Sequence, residues 1–316
     1  MSKYAFGVDI GGTTARICLC ESDGRVLFEG EGKGGTLAGV GMEELHTRLS
    51  KVVTEALNAS GSRASDCTGL CVGASGVDSE QDQKAYEKLF ASLGFPMDQT
   101  GRFRVMNDGE LLLRMFSGPA IVLISGTGSI ALGAEGPESQ VLRCGGWEHL
   151  LSDEGSGTWI GMEALKAYVR MADGRVTDRE LKEQLEATTG IRCPEDAVAY
   201  CQEHIGEKAD IAELAALVTS CAEHGAPACL DIVERAAGEL ASLVLTLSAT
   251  MTDTGPLRLL FWGSVLLKTP LIRQRVAARV RAACQRIQPV LSEKTALQCA
   301  VLQARGIGSM PLRTIG

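Results

Sequence analysis

Two short glycine-rich turns, each leaving one strand-like segment and entering another, constrain the fold of this chain most strongly. The first is Asp-Ile-Gly-Gly-Thr-Thr at residues 9–14, and the second is Ser-Gly-Thr-Gly-Ser at residues 125–129. Glycine lets the backbone approach an anion closely and adopt a positive φ, and successive amides can converge on one anion. We therefore expect two phosphate-binding turns, made by Gly11, Gly12, Thr13 and Thr14 and by Gly126, Thr127, Gly128 and Ser129.

Each turn taken alone is a weak signal, because glycine-rich turns are also common in β-hairpins. The second turn matches the spacing of a dinucleotide-binding fingerprint, Gly-x-Gly-x-x-Ala at residues 126–131. The segment that follows, residues 130–132, is strand-like and not helical, which argues against a Rossmann fold. The sequence contains no Gly-x-x-x-x-Gly-Lys-Ser/Thr motif, so a P-loop is excluded.

Two aspartates stand at the ends of strand-like runs, Asp9 inside the first turn and Asp108 between the two turns. An acid in the position of Asp108 is equally typical of a helix N-cap, and Asp9 could cap a turn. With a phosphate nearby, Asp108 would be the base that takes a proton from an acceptor hydroxyl, and Asp9 would anchor Mg²⁺ through water. An aspartate has an ordinary pKa of about 3.9. Such a weak base suffices when phosphoryl transfer has a loose transition state.

The pattern of strand, glycine turn, strand, strand occurs at the start of each half of the chain. We place the boundary near residue 117. The first half has predicted strands at 4–10, 15–21, 25–30, 68–74 and 103–107, with helices at 41–60 and 80–93. The second half has predicted strands at 120–124, 129–134, 141–143 and 257–262, helices at 158–170 and 227–251, and a last helix at 293–305. This order predicts an α/β fold with mixed sheets and helices on their faces.

Composition excludes several classes of protein. With 45% hydrophobic residues among 316, the chain can form a large core. Its net charge of -8 is typical of a protein that binds small molecules, and we expect no nucleic-acid partner. The uncharged stretch at residues 115–134 contains Pro119 and several glycines, so we expect no membrane span. The 11 cysteines include no Cys-x-x-Cys pair, which favours reduced thiols and a cytoplasmic protein without a signal peptide.

The motifs resemble those of the sugar kinase, Hsp70 and actin superfamily. Residues 9–14 look like its first phosphate motif, residues 125–129 like its second, and residues 261–265 like its adenosine motif. The glycine-dense loop at 145–161 is the most specific match, since it resembles N-acetylglucosamine kinases and the BadF/BadG/BcrA/BcrD-type ATPases. The resemblance covers nearly the whole chain. It implies two ribonuclease-H-like, actin-like ATPase lobes with an interdomain cleft: one at 1–117, on which the helix at about 293–306 packs, and one at 118–292 with a helical insertion.

The resemblance also implies an activity: ATP-dependent phosphorylation of the 6-hydroxyl of an amino sugar, with ATP and Mg²⁺ as cofactors. Asp108 would be the catalytic base, and Asp9 would hold Mg²⁺ through water. Gly263 and Ser264 would lie near adenine or ribose, and the two glycine turns would bind the phosphates. The implied sugar-binding residues are Asn107, Asp108, Gly145, Gly146, Trp147 and Asp153.

One departure leaves the sugar open. N-acetylglucosamine kinases usually carry an asparagine in the loop after the third strand, and here residues 32–37 contain none. N-acetylglucosamine is the first candidate, and N-acetylmuramic acid or glucosamine are alternatives. A different function on the same fold is an ATP-hydrolysing activator of a dehydratase or reductase of the BadF type. A sugar-responsive repressor would need a DNA-binding segment before the first strand. We expect a homodimer, the commonest oligomer.

Overall fold

The computed structural model describes residues 3–97, 102–204, 206, 208–309 and 311–315. The chain divides into two compact units. The first consists of Met1–Gly118, Gly136–Ser139 and Ser292–Arg313, and the second of Pro119–Glu135, Gln140–Leu291 and Thr314–Gly316. Each unit has its own mixed β-sheet and its own hydrophobic core.

The first unit is built on a five-stranded sheet in which β1 is central. Its order is β3-β2-β1-β4-β5, with antiparallel pairs among the first three strands and parallel pairs from β1 to β4 and from β4 to β5. Both faces of β1 are covered, which explains its continuous apolar run. The strands are β1 (Tyr4–Ile10), β2 (Thr14–Glu21), β3 (Val26–Lys33), β4 (Cys67–Ala74) and β5 (Phe103–Asn107).

Three helices follow these strands: α1 (Leu37–Ser60), α2 (Glu80–Ser92) and α3 (Asp108–Leu113). The predicted start of α1 at residue 41 is displaced, because a short helical turn capped by Thr36 precedes it. Gly41, with φ 76° and ψ 165°, breaks the helix at that point. The helix at α3 was not predicted, since its six residues are too few to show a helical period.

The second sheet repeats the topology of the first. Its order is β11-β10-β9-β6-β7-β8, so β8-β7-β6-β9-β10 corresponds to β3-β2-β1-β4-β5 with the same parallel and antiparallel pairs. The internal repeat seen in the sequence is thus a repeat of strand order. The strands are β6 (Ala120–Ser125), β7 (Ser129–Ala134), β8 (Leu142–Gly145), β9 (Leu257–Trp262), β10 (Ile287–Ser292) and β11 (Leu312–Thr314).

Helices cover the second sheet. The longest, α8, buries Val233, Leu240 and Val244 at helical spacing, which fits an apolar stripe facing the core. Within the described residues, no helix combines the length and the apolar character needed to cross a membrane. The helices are α4 (Gly157–Ala172), α5 (Arg179–Thr189), α6 (Pro194–His204), α7 (Lys208–Glu223), α8 (Pro227–Thr250), α9 (Ser264–Lys268), α10 (Pro270–Ala283) and α11 (Ala296–Ala304).

The helix α11, near the end of the chain, packs against β1 and β4 of the first unit. A methyl group on Gly7 would lie 2.6 Å from Val301, and one on Gly69 would lie 2.0 Å from the carbonyl oxygen of Ala304. Only glycine at these two strand positions lets the helix approach so closely. A capping box between Thr295 and Gln298 starts α11, so the helix begins three residues later than predicted.

Candidate active site

The first glycine turn joins β1 to β2 and is closed by a hydrogen bond from the Gly11 amide to the Thr14 carbonyl oxygen, 2.8 Å. Gly12 and Thr13 are exposed, and within the described part of the chain their amides donate to no other group. Contrary to expectation, neither Gly11 nor Gly12 has a positive φ. Glycine serves here to leave the amides uncovered, since a methyl group on Gly12 would meet nothing within 4 Å.

A second segment, residues 34–35, supports this turn. The amides of Gly34 and Gly35 donate to the carbonyl oxygens of Thr13 (2.9 Å) and Gly11 (3.0 Å). Because these carbonyls are already bonded, the opposite side of the turn presents its N–H groups, as an anion site requires. A methyl group on Gly34 would lie 2.5 Å from the Gly11 oxygen, so the contact needs glycine.

Three carboxylates belong to the carboxyl-terminal edge of the parallel strands in the first unit. Asp9 lies near the end of β1, Asp78 follows β4, and Asp108 directly follows β5. The register pairs Asp9 with Gly73 and Ala74 with Asn107, so the three strands end level with one another. Ligands of open α/β sheets bind beyond this edge.

Asp108 does not cap α3. The cap is Asn107, whose side-chain oxygen accepts a hydrogen bond from the Gly109 amide at 2.9 Å. Asp108 is the first helical residue, and its Oδ1 accepts from the same amide, also at 2.9 Å. The capping alternative for Asp108 is therefore wrong, and its other carboxylate oxygen is left for other partners. Asn107 is one of the residues that the resemblance assigned to sugar binding, and its side-chain oxygen accepts the hydrogen bond of this cap.

The acidity of Asp108 departs from the ordinary value assumed from the sequence. Its pKa is raised to about 6, chiefly by burial and in smaller part by the negative charges of Asp9 and Asp78, against the opposing effect of the hydrogen bond from the Gly109 amide. Burial also raises the pKa of Asp9, although Arg16, whose guanidinium lies 3.8 Å away, partly offsets this. Carboxylates close to one another cannot all hold a negative charge easily. Asp108 is therefore a stronger base than a free aspartate.

The second glycine turn joins β6 to β7 and is held by the start of α4. Gly126 donates its amide to the Gly128 carbonyl oxygen (2.9 Å), and the Gly126 oxygen accepts from the Gly157 amide (2.7 Å). Thr158 bonds the Thr127 oxygen through both its amide (3.3 Å) and its hydroxyl (2.8 Å). As in the first turn, the carbonyls are occupied, and the described structure gives the amides of Thr127 and Gly128 no partner.

Asp153 is brought directly onto this turn. Its Oδ1 accepts a hydrogen bond from the Ser129 amide at 3.2 Å, and the Ser129 hydroxyl donates to the Glu154 carbonyl oxygen at 2.8 Å. Asp153 is buried and adopts a positive φ of 68°. Burial raises its pKa, while the Ser129 amide lowers it. Asp153, which is predicted to bind the sugar, is thus hydrogen-bonded to Ser129, which is predicted to bind phosphate, within one unit.

The loop of residues 145–155 that carries Asp153 is unusually rich in left-handed backbone. Glycines take three of these positions, but Glu148, with φ 71°, does so against its steric preference. Glu148 forms an ion pair with Lys208 at the start of α7. Left-handed non-glycine residues persist where the surroundings impose them, often at functional sites. The glycines concerned are Gly145, Gly146 and Gly155.

Trp147 lies at the solvent side of the same loop. The residue is 61% exposed, and the Arg143 guanidinium lies 4.2 Å from the centroid of its ring. A cation held on one face of the indole fixes its orientation. Trp147 therefore does not pack the loop interior, and it offers an aromatic surface of the kind on which sugar rings stack.

Gly263 lies between β9 and α9 and packs against the second turn. It has φ 87°, and a methyl group there would lie 2.3 Å from the Ser125 carbonyl oxygen. Ser264 begins α9, and its backbone nitrogen would lie 3.7 Å from a methyl group on Gly126. The residues predicted to bind adenosine thus lie next to the turn predicted to bind phosphate. Packing against Ser125 also requires glycine at position 263.

The donor set around Asp9 fits Mg²⁺. Magnesium retains several waters and binds through one or two carboxylates together with substrate phosphates. Asp9 supplies such a carboxylate on the same unit as the uncovered amides of the first turn. Among the described residues no cluster of three or more His, Cys, Asp or Glu could hold a metal. A cage made only of protein ligands is not required for this ion.

Sequence reasoning missed two contributors to the site. Asp78 acts on Asp108 only because β4 and β5 are paired in parallel, which no local motif reveals. The support by residues 34–35 follows from the extension of β3 to Lys33, three residues past its predicted end at 30. The only local sign of this support in the sequence is the Gly-Gly pair at residues 34–35.

A sequence profile of the BadF/BadG/BcrA/BcrD ATPase family matches residues 6–304. The chain is 31% identical over 240 residues to the N-acetylmuramic acid/N-acetylglucosamine kinase of Clostridium acetobutylicum, over 75% of this chain and 77% of that protein. It is 27% identical over 214 residues to the N-acetyl-D-glucosamine kinase of Dictyostelium discoideum, over 63% of this chain and 65% of that protein.

Solved structures share the fold. The crystal structure of a Chromobacterium violaceum protein described as a candidate N-acetylglucosamine kinase matches with a TM-score of 0.72 and 25% identity, over 96% of this chain and 99% of that chain. The glucose complex of Balamuthia mandrillaris glucokinase matches with a TM-score of 0.62 at 15% identity, over 96% of this chain and 94% of that chain. The expected α/β fold with two mixed sheets is confirmed.

Proposed function

Because the chain belongs to the BadF/BadG/BcrA/BcrD ATPase family, we propose that it is an ATP-dependent kinase that phosphorylates the 6-hydroxyl group of an amino sugar. N-acetylglucosamine is the first candidate. N-acetylmuramic acid and glucosamine follow, since relatives named for all three sugars match this chain. Membership of the family confirms the resemblance seen in the sequence.

The observation that carries the proposal is the position and acidity of Asp108. A general base works best when its pKa lies near the working pH, and the pKa of Asp108 is raised to about 6. One of its oxygens accepts from Gly109, which fixes the carboxylate. The other can accept the proton of the sugar hydroxyl and orient that oxygen toward the phosphorus. Orientation is the larger need when the transition state is loose.

Phosphate binding is assigned to the amides of both turns. Gly12 and Thr13 in the first unit, and Thr127 and Gly128 in the second, present N–H groups that bond to nothing else among the described residues. An acidic chain with net charge -8 repels ATP, and such amides offset this locally. Mg²⁺ near Asp9 would neutralise part of the phosphate charge. The hydroxyls of Thr14 and Ser264 are further donors for the nucleotide.

Sugar binding is assigned to the loop of residues 145–155. Asp153 offers its second oxygen, Oδ2, to a sugar hydroxyl, because Oδ1 is bonded to Ser129. Trp147 offers an exposed ring face, and the left-handed Gly145 and Gly146 bring the backbone close. These groups combine one apolar surface with a few fixed polar contacts, as small-molecule sites do.

The alternative is an ATP-hydrolysing activator of a dehydratase or reductase, which the family name also covers. Such activators hold an iron–sulfur cluster between two subunits through cysteines. All eleven cysteines of this chain are buried or half-buried, so no thiol is fully exposed for that purpose. The loop with Trp147 and Asp153 has no role in that reading, and the kinase is favoured.

The deciding experiment measures ADP formation by the purified protein with ATP and Mg²⁺ against a panel of amino sugars, and locates the phosphate by NMR. We expect transfer to the 6-hydroxyl of at least one member, with little ADP formed in the absence of sugar. The 6-deoxy analogue is the matched control and must not be phosphorylated. A brown, iron-containing protein that hydrolyses ATP without any sugar would overturn the proposal in favour of the activator.

A further inference from the structure

An open cavity in the first unit is lined by three arginines, although the chain as a whole is acidic. Arg102, Arg104 and Arg114 surround a space of about 220 Å³, together with the end of α11 and the turn at residues 136–139. All of these residues belong to the first unit. Because the net charge of the chain is -8, a cavity with several cations is a local exception that attracts anions.

Arg102 and Arg104 lie two residues apart in extended backbone at the start of β5. The Leu70 amide donates to the Arg102 carbonyl oxygen at 2.9 Å, and β4 pairs Cys71 with Arg104. Both arginine side chains therefore leave the same face of the sheet. Burial raises the pKa of the Cys71 thiol to about 12, and the charge of Arg104 opposes this effect. The Arg104 guanidinium thus lies close to the inner wall of the cavity, which Cys71 forms.

Arg114 is a fixed part of the wall. Its Nη1 donates to the carbonyl oxygens of Pro137 (2.6 Å) and Ser139 (2.8 Å), which holds the turn at 136–139 against α3. Its Nε and Nη2 donate to Oε1 of Glu110 at 3.0 and 2.8 Å. Glu110 therefore balances the charge of Arg114, and the excess positive charge of the cavity comes from the other two arginines.

The acid nearest to those two arginines is Glu138. Its carboxylate lies 3.7 Å from the Arg104 guanidinium, and the two side chains are 83% and 48% exposed. An exposed ion pair at this distance contributes little free energy, so an anion with more charge can compete with Glu138. Arg102 is exposed, and within the described part of the chain no acidic side chain forms an ion pair with it.

The end of α11 completes the cavity. Carbonyl oxygens at the end of a helix repel anions, but two of them are occupied here. The Gly306 amide donates to the Gln303 carbonyl oxygen at 2.8 Å, and the Ile307 amide donates to that of Leu302, also at 2.8 Å. A methyl group on Gly306 or Gly308 would meet nothing within 4 Å, so this side of the cavity is open to a ligand.

We propose that this cavity is a second anion site, which binds a phosphate group between Arg102 and Arg104. Guanidinium groups bind phosphate oxygens through pairs of N–H donors. The space equals about seven waters at roughly 30 Å³ each, which suits inorganic phosphate or a small phosphate monoester. The site goes beyond the proposed reaction, because Arg104 and Asp108 lie at opposite ends of β5, roughly 13 Å apart at about 3.3 Å per residue.

The test is calorimetric titration of the purified protein with inorganic phosphate, with Mg²⁺ and a non-hydrolysable ATP analogue present to occupy the glycine turns. The wild type should bind one phosphate per chain. Arg102→Ala should lower the affinity tenfold or more and leave the melting temperature of the phosphate-free protein unchanged, because the side chain is exposed. The inference is wrong if the wild type binds no phosphate, or if Arg102→Ala binds it as tightly as the wild type.

Two further variants control for a general effect of charge. Arg25 is an exposed arginine of the same unit that pairs with Glu21 and does not line the cavity. Arg25→Ala removes the same charge as Arg102→Ala and should leave the phosphate affinity within twofold. Equal losses in these two variants would refute a local site. Glu138→Gln removes the acid beside Arg104 and should tighten phosphate binding threefold or more, and weaker or unchanged binding would contradict the proposal.

A second probe, N-acetylglucosamine 6-phosphate, distinguishes two sources of the phosphate group. Affinity equal to that of inorganic phosphate indicates that the phosphate group alone is bound. Tighter binding that Arg102→Ala abolishes indicates a sugar phosphate, the product class of the proposed kinase. If only the sugar phosphate binds and Arg102→Ala leaves its affinity unchanged, it occupies another site and the inference is wrong. None of these titrations requires turnover, so their outcome is independent of whether the protein phosphorylates an amino sugar.

Discussion

The Oδ1 atom of Asp153 accepts a hydrogen bond from the Ser129 amide at 3.2 Å, which fastens the loop of residues 145–155 to the second glycine turn. The Asp153 carboxylate leaves no room for a side chain on Gly128. A methyl group on Gly128 would lie 3.0 Å from Oδ2 of the same carboxylate. The position of Asp153, which is predicted to bind the sugar, therefore depends on the absence of a side chain at Gly128, which lies in the turn predicted to bind phosphate.

We expect Gly128→Ala to displace the Asp153 carboxylate, and so to weaken sugar binding and lower the free energy of unfolding by about 1 kcal/mol. Calorimetry and the sugar KM measure the two effects. Gly126→Ala is the control for stability, because its methyl group would make only ordinary contacts, at 3.7 Å from Ser264. Equal stability losses in the two variants would contradict the assigned contact.

Asp108→Asn should lower turnover on the order of a hundredfold or more, because asparagine cannot take the proton of the acceptor hydroxyl. Nucleotide affinity, measured by titration with a non-hydrolysable ATP analogue, should stay within twofold. Asparagine keeps an oxygen that can accept from Gly109, so α3 should start as before. Near-normal turnover would remove Asp108 from its assigned role.

The pH dependence of kcat/KM should report the raised pKa of Asp108. The base works only when it is ionised, so activity should fall below a pH of about 6, the value to which burial, Asp9 and Asp78 raise its pKa. Roughly tenfold per pH unit is expected on the acid side. A rate that stays constant down to pH 4 would show either that Asp108 has an ordinary pKa or that it is not the base.

The raised pKa of Asp108 also predicts that the Asp108→Asn variant is more stable than the wild type. A carboxyl whose pKa is raised from 3.8 to about 6 by folding destabilises the native state once it ionises. The wild type should therefore be less stable than the variant above pH 6, by roughly 1–2 kcal/mol after allowance for partial exposure. The difference should shrink as the pH falls through 6 and vanish below 4. Melting curves at pH 4 and pH 8 check this, and a variant less stable at pH 8 would contradict it.

Gly263→Ala should destabilise the second unit by more than about 2 kcal/mol, because its methyl group would lie 2.3 Å from the Ser125 oxygen and its φ is 87°. Gly225→Ala separates the two causes. Gly225 has φ 92° but nothing within 4 Å, so its substitution reports the left-handed backbone alone, about 1 kcal/mol. If the two variants unfold at the same denaturant concentration, the contact with Ser125 contributes nothing.

The strands around both glycine turns could be predicted because their signals are local. Apolar runs and turn residues lie next to each other in the sequence, and β1, β6 and β9 were found within one residue of their ends. The strand β10 was missed, because Pro289 interrupts it and proline is rare inside a sheet.

The chemistry of the site depends on non-local pairing, which a single sequence does not display. The pKa of Asp108 responds to Asp78 across the parallel strands β4 and β5, a separation of thirty residues in the chain. The residue types in the motifs thus indicate the reaction, whereas the pKa of Asp108 can be inferred only from the folded structure.

The first unit takes its strands from Met1–Gly118 and its helix α11 from Ser292–Arg313. On the ribosome, β1 and β4 therefore emerge long before the helix that covers Gly7 and Gly69. Until then one face of the nascent sheet lacks its cover, while the second unit can fold in the meantime. A ribosome-stalled chain that ends before residue 292 should bind chaperones through this uncovered face, and release from them should coincide with the synthesis of α11.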